Sequence, residues 1–296
     1  MRNLAIGVAA ILLAGCVSPA AADPAVKAEP EISAEIDPSA EEGSETSDPA
    51  ERAPPEPDAE ADAALTAWQA ERDALFSGAL EPSLHWHEPV LNYWKTSAQA
   101  PDAFLKEVYR RVALEQYGRY SIPFTPELAG ELAKGLGIEL NDVQARGFQQ
   151  RLFYALMDLD EDNSAFLKRE LDARGGQWWT ITEIGSEASG QIWLMTQHAD
   201  QDRDFQKRAL ALMEPLAEAG EVSGSNYAYL WDRVAVAEQR PQRYGTQGGC
   251  KSADNWDAAE IEAPAEDVDA RRSAVGIWMT FAAYDAQMDG ICKDGY

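Results

Sequence analysis

Histidine, cysteine and positive charge are all scarce in this chain of 296 residues. It has three His and three Cys, and its 25 Lys and Arg stand against 51 Asp and Glu, which gives a formal net charge of −26. An acidic surface argues against nucleic acid or anionic lipid headgroups as ligands, because both are polyanions. The sequence also lacks Gly-x-Ser-x-Gly and His-Glu-x-x-His motifs and any clear repeat of about 20–50 residues. A serine hydrolase, a zinc protease and a solenoid therefore have no support from motifs.

Long apolar runs are also missing, and the one short run lies at the start of the chain. Residues Leu4 to Leu13 follow Arg2 and end in Leu13-Ala14-Gly15-Cys16. The run is too short to cross a bilayer core of about 30 Å as a permanent helix. It resembles a bacterial lipoprotein signal, so we expect residues 1–15 to be a signal peptide whose cleavage leaves a lipidated Cys16. Because Val17 is not the aspartate that retains such proteins at the inner membrane, we expect a lipid-anchored envelope protein at the outer membrane, facing the periplasm.

The next segment has little aliphatic bulk. Between Asp23 and Asp62 it carries fourteen acidic residues against Lys27 and Arg52, together with several prolines. Such a chain buries too little apolar surface to offset the entropy lost on ordering. We therefore expect residues 16–63 to be a disordered acidic tether with a reach of at least about 35 Å. Recruitment of a basic partner by this arm is the alternative.

The two other cysteines form a pair in a compartment where disulfides persist. We predict a Cys250–Cys292 disulfide, worth about 4 kcal/mol in the chain-entropy treatment of a loop of this length. It would pin a helix through residues 275–282 beside the segment that follows Gln247. Two buried free thiols are the alternative.

Hydrophobic spacing after the tether is mostly helical. Apolar residues from Phe104 to Val112 recur at helical intervals, and Thr125-Pro126 is typical of a helix start. Two more stripes, from Ile184 to Ala199 and from Phe205 to Leu216, predict two amphipathic helices.

Alternating patterns are rare, and only Trp178–Ile184 and Val234–Ala237 are candidates for strands. We predict a mainly α fold: a multi-helix bundle that forms a single globular domain after the tether. Its N-terminal helical part is assigned to residues 64–150, and its C-terminal part, with a disulfide-clamped tail, to residues 151–296.

An acidic run imitates a calcium-binding loop. Acidic or hydroxyl side chains occupy the first, third, fifth and seventh positions of an EF-hand: Asp158, Asp160, Asp162 and Ser164. The match then fails, because Asn163 replaces the glycine of the sharp turn and Arg169 replaces the bidentate glutamate. We interpret residues 162–164 as the N-cap of a helix through residues 166–171.

Residues 245–252, with the sequence Gly-Thr-Gln-Gly-Gly-Cys-Lys-Ser, imitate a P-loop in all positions but one. Cys250 replaces the glycine that lets the backbone wrap a phosphate, and neither an apolar strand nor a clearly amphipathic helix flanks the segment. We therefore predict no nucleotide and no other cofactor.

The three histidines are weak candidates for a zinc site. His85 and His87 point to the same side of an extended segment, and His198 could complete a three-histidine site with an open position. We favour the interpretation in which His85-Trp86-His87 packs as an aromatic-rich surface loop, so no metal is predicted.

Polar residues are densest between Gln197 and Gln247. His198 lies at the edge of an apolar stripe, where it could line a cleft. Asp232 lies between apolar positions, so its carboxylate needs a partner, for which Arg233 and Arg243 are candidates. A structural ion pair and a catalytic acid are both compatible with this pattern.

Three motifs stand out here: Gln197-His198-Ala199-Asp200, Asp232-Arg233 and Arg243-Tyr244-Gly245-Thr246-Gln247. They resemble an uncharacterised bacterial family, domain of unknown function 6624, over about residues 151–272. The chain departs from that pattern at residues 176–179, where a Gly-Trp-Pro turn is usual. The resemblance implies no activity, but it implies that polar residues of these motifs gather in one place: His198, Asp200, Asp232, Arg233, Arg243, Tyr244 and Gln247. Gln197 is a further candidate for binding.

Two classes of function remain. We favour a tethered binding or assembly module that recognises a small molecule, a glycan or an envelope protein through this polar cluster. The alternative is an envelope hydrolase, with His198 as general base, Asp232 orienting it and Arg243 holding an anionic or carbonyl oxygen. The sequence leaves open whether the protein is an enzyme.

Overall fold

Helices make up nearly all of the regular structure. The computed structural model describes residues 55–80, 87–123, 125–252 and 254–295. The expected signal peptide, Cys16 and most of the expected tether lie outside these residues. The helices are α1 Ala59–Ser77, α2 His87–Gln99, α3 Ala103–Ser121, α4 Pro126–Gly135, α5 Asp142–Ala173, α6 Ile181–Ile184, α7 Ser186–Gln197, α8 Arg203–Glu218, α9 Gly224–Ala237, α10 Val268–Ala274 and α11 Phe281–Gly295. Two strands, β1 Gly248–Ser252 and β2 Asn255–Ala258, form an antiparallel hairpin, so the predicted mainly α class is confirmed.

The described residues divide into two compact units, 55–163 and 164–295. The boundary falls inside α5, whereas the sequence analysis placed it at residue 150. Across the described ranges, even the longest helices lack a stretch apolar enough to span a bilayer.

The N-terminal unit, residues 55–163, is a helix bundle with capped ends. Asp58 caps α1, Asp102 caps α3, and Thr125 caps α4, which has Pro126 in its first turn. The start of α1 at Ala59 brings helix into the last part of the segment assigned to the tether. Large side chains fill the core and are almost fully buried: Trp68, Tyr117, Phe148 and Leu152.

The acidic run that imitates an EF-hand lies inside α5. Residues 162–164 do not cap a new helix, because α5 continues through them to Ala173. Asp162 accepts a hydrogen bond from Arg111 at 2.6 Å, and Asn163 donates to Glu115 at 3.0 Å. These partners on α3 occupy side chains that would otherwise compete for backbone N–H groups, so the helix is not interrupted.

The C-terminal unit, residues 164–295, contains α7 and α8 near the predicted positions. Both strand predictions are wrong. Residues 181–184 form the short helix α6, and residues 234–237 are the last turn of α9. Alternation over so few residues also fits a buried helical turn, which is why the pattern misled.

The Cys250–Cys292 disulfide is present, with the two Cα atoms 5.5 Å apart. It joins β1 to α11. The predicted helix through residues 275–282 is wrong, because α10 ends at Ala274 and Gly276 adopts a left-handed conformation with φ of +83°.

The segment that imitates a P-loop, residues 245–252, forms strand β1 in its second half. Lys251 of this strand forms an ion pair with Asp257.

Candidate functional site

Asp232 and Arg233 are adjacent on α9, but each belongs to a different group of hydrogen-bonded polar residues in the C-terminal unit. The first group holds the loop at residues 242–247, and the second surrounds Asp200. Together they include most of the residues nominated from the sequence.

Asp232 is fully buried and accepts four hydrogen bonds from the loop. The backbone N–H groups of Arg243, Tyr244 and Thr246 donate to it at 2.8, 3.1 and 3.0 Å, and the Thr246 hydroxyl donates at 2.9 Å. Burial raises the pKa of Asp232 to about 6, and these hydrogen bonds limit the rise. The carboxylate thus replaces the secondary-structure partners that an irregular loop lacks.

The carbonyl groups of the same loop face cations and a hydroxyl. Arg271 Nε donates to the Arg243 carbonyl at 2.7 Å, and Arg272 Nη1 donates to the Tyr244 carbonyl at 2.7 Å. The Tyr284 hydroxyl donates to the Thr246 carbonyl at 3.1 Å. We call this arrangement, Asp232 with Arg271, Arg272 and Tyr284 around the loop, the loop clamp. It places peptide groups between a buried anion and a buried cation, so that the peptide dipoles compensate both charges.

Two further residues fix the shape of the loop. Gly245 has φ of +65°, and a Cβ there would lie 2.6 Å from the Phe281 ring, so only glycine fits. The buried Gln242 side chain accepts from Gln247 N–H at 2.8 Å and donates to the carbonyls of Gln247 and Ala259 at 2.7 and 2.9 Å. The nominated Tyr244 and Gln247 are buried within this loop.

Arg243 does not pair with Asp232 through its side chain, contrary to the prediction. Its guanidinium lies 4.2 Å from the Trp231 ring centroid and donates to Glu262 at 2.9 Å. Stacking on an aromatic ring and an acidic neighbour satisfy the guanidinium at the surface, where its charge stays hydrated. The coupling to Asp232 goes through the Arg243 backbone N–H instead.

Arg233 likewise does not pair with Asp232. Its guanidinium forms a bidentate ion pair with Asp200, with Nε 2.8 Å from Oδ1. Gln206 joins this group, donating to the Gln197 carbonyl at 2.8 Å and to Asp200 at 3.2 Å. Burial alone would raise the pKa of Asp200, but the positive charge of Arg233 lowers it overall, with a smaller contribution from His198.

His198 is buried at the C-terminal end of α7, and its electrostatic partner among the nominated acids is Asp200. It is not one of the four donors to Asp232. The predicted trio of His198, Asp232 and Arg243 is therefore not assembled. The three-histidine zinc site stays untested, because His85 and the side chain of His87 lie outside the described residues.

Sequence reasoning missed Arg272 and Tyr284, which complete the loop clamp. Both lie beyond the polar segment at residues 197–247, on α10 and α11. The Arg271-Arg272 pair in an otherwise acidic chain was the only signal that could have drawn attention to them.

No curated protein and no solved structure is significantly similar to the chain. One family profile matches, and its match spans residues 147–285, which include the loop clamp and the Asp200 group. Residues 147–285 of this protein therefore belong to DUF6624, a family of unknown function.

Proposed function

We propose that the protein is an envelope lipoprotein whose DUF6624 region is a binding or assembly module and not a hydrolase. In this proposal, Cys16 anchors the chain at the outer membrane, and the acidic segment after it holds the folded part clear of the lipid headgroups.

The observation that carries the proposal is the complete occupation of Asp232. A carboxylate that orients a general base has to accept a hydrogen bond from the imidazole. Asp232 instead accepts four hydrogen bonds from residues 243–246. Asp200, which interacts electrostatically with His198, forms an ion pair with Arg233, and this pairing weakens its ability to raise the basicity of the imidazole. Acids that are already occupied in this way favour a binding or assembly role over general-base catalysis.

Two measurements on the full-length protein in detergent test binding against hydrolysis. Soluble fragments of digested cell envelope should raise the melting temperature saturably. Chromogenic esters, amides, phosphate esters and glycosides should show no turnover that depends on His198. Turnover that His198→Ala abolishes and Asp204→Ala preserves would establish the hydrolase instead. The absence of any saturable shift with envelope fragments would contradict a binding role.

Metabolic palmitate labelling tests the anchor. Cys16→Ser should lose the label, whereas the Cys250→Ser/Cys292→Ser double variant should keep it. A label that persists in Cys16→Ser would rule out lipidation at this position.

A further inference from the structure

Four buried N–H donors of the C-terminal unit have no acceptor within the described part of the chain: Arg174 Nε, Trp193 Nε1, Arg272 Nη2 and Gln287 Nε2. The last three are connected through aromatic side chains and are considered together. Arg272 is only 1% exposed, and its other nitrogens donate to the carbonyls of Met279 and Tyr244. A buried donor without an acceptor costs about 1–3 kcal/mol, and more when the group is charged. A ligand that supplies oxygen acceptors to these donors would therefore stabilise the folded protein.

A series of aromatic contacts connects Trp193 to Arg272, and Gln287 lies on the same helix as one of these rings. Tyr229 contacts the Trp193 ring on one side and the Tyr284 ring on the other, with centroids 6.5 and 6.4 Å apart. The Arg272 guanidinium lies 5.1 Å from the Tyr284 centroid. Gln287 follows Tyr284 by three residues on α11 and therefore lies on the same face of that helix.

Three side chains of this cluster are partly exposed, although the donor nitrogens themselves are buried. Trp193, Tyr229 and Gln287 are only half-buried, whereas Arg272 and Tyr284 are buried. Half-exposed aromatic rings beside a buried polar group are a common composition for small-molecule sites.

The charge of Arg272 points to the kind of acceptor. All its protein acceptors are neutral carbonyl oxygens, and Asp232 and Asp269 act on it only from a distance. Asp232 is moreover compensated by its four loop donors. A carboxylate would be the first anion in direct contact with the guanidinium, and charge-assisted hydrogen bonds are about twice as strong as neutral ones. A phosphate dianion fits less well, because the guanidinium of Arg272 supplies one positive charge against two negative ones.

We propose that Arg272, Trp193 and Gln287 form a binding site for a carboxylate carried on a small, flat or apolar molecule. This proposal rests on the proposed binding role, and it specifies a carboxylate as the chemical group that is bound. The carboxylate oxygens accept from Arg272 Nη2, Trp193 Nε1 and Gln287 Nε2, and the rest of the ligand packs on the Trp193 and Tyr229 rings.

Benzoate and benzamide form a matched pair of probes, since they have the same shape and differ in charge. With the full-length protein in detergent, benzoate should raise the melting temperature saturably and bind at least about tenfold more tightly than benzamide. Trp193→Phe and Gln287→Leu each remove donors without touching the loop clamp, and each should weaken benzoate binding by about 3–10-fold. Arg272→Met should abolish it.

Trp68→Phe is the matched control, because Trp68 Nε1 is another buried indole donor without an acceptor, in the N-terminal unit. It should leave benzoate affinity unchanged. Equal binding of benzoate and benzamide, or no benzoate effect in Trp193→Phe and Gln287→Leu, would overturn the site. If envelope fragments still raise the melting temperature of Arg272→Met as in the unsubstituted protein, the carboxylate site is wrong while the binding role stands. If no fragment raises it in the unsubstituted protein, the binding role itself is wrong.

Discussion

The two compact units use buried polar groups in different ways. In the N-terminal unit, such groups join one helix to another: Arg119 on α3 pairs with Asp160 on α5, and Asn163 donates to Glu115. In the C-terminal unit, Asp232 binds backbone N–H groups of a loop. Side-chain pairs between helices only adjust a packing that apolar residues already define. A carboxylate that accepts hydrogen bonds from backbone N–H groups replaces the acceptors that a strand or a helix would supply. It therefore determines whether the loop adopts a defined conformation.

Removal of Asp232 should give the largest effect and tests the central point of this comparison. Asp232→Ala leaves three loop N–H groups and a hydroxyl buried without an acceptor, so we expect a loss of about 3–5 kcal/mol of unfolding free energy. Urea unfolding followed by circular dichroism measures it. Asp204→Ala, at a side chain that is 92% exposed, should cost less than about 0.5 kcal/mol. A cost below about 1 kcal/mol for Asp232→Ala would mean that the loop does not depend on this carboxylate.

Removal of the disulfide should destabilise the C-terminal unit more than the N-terminal unit. The Cys250→Ser/Cys292→Ser variant should lose up to about 4 kcal/mol, because the bond closes a loop with a sequence separation of 42 residues. Hydrogen exchange should show faster exchange in α11 and unchanged protection in α3. Reductant should lower the melting temperature of the unsubstituted protein and leave the variant unaffected. Equal loss of protection in α3 and α11 would contradict a local effect of the disulfide.

Two acids of the C-terminal unit should affect the pH dependence of stability in opposite directions. The folded-state pKa of Asp232 is raised to about 6, so the folded state holds this proton more tightly than the unfolded chain does. Its contribution to stability is therefore present at low pH and is lost as pH rises, by roughly 1 kcal/mol between pH 5 and 7.

Asp200 has the opposite sign, because its lowered pKa makes its contribution vanish only as pH falls below the usual range of an aspartate. Carboxyl carbon NMR shifts measure both titrations directly. Titration of Asp232 at or below pH 4 would show that its loop donors outweigh its burial.

Local chemistry explains which features could be predicted. The starts of α3 and α4 follow from Asp102 and from Thr125-Pro126, because a cap acts within three residues of itself. The pairing of Cys250 with Cys292 follows from counting cysteines once Cys16 is set aside. The uninterrupted course of α5 through Asp162 could not be predicted, because it depends on partners from α3.

The candidate site was predictable only in part. Motif resemblance identified Asp232 and the loop, and burial between apolar positions correctly predicted that Asp232 needs a partner. It nominated the wrong partners, because an arginine side chain nearby in sequence is a more obvious partner than a backbone N–H. Arg272 was missed, since its contacts bring together segments about 30 residues apart.

The helical class, the starts of α3 and α4, the approximate extents of α7 and α8 and the acidity of the N-terminal segment follow from the sequence, since periodicity, capping and charge act over a few residues. The partners of the polar side chains depend on the tertiary structure. A buried loop requires partners for each N–H and C=O group, and the side chains that supply them are those nearest in space. Asp232 and Arg272 therefore bind the loop, and Arg233 binds Asp200. In the part of the chain that the structure describes, donors of Trp193, Arg272 and Gln287 have no acceptor.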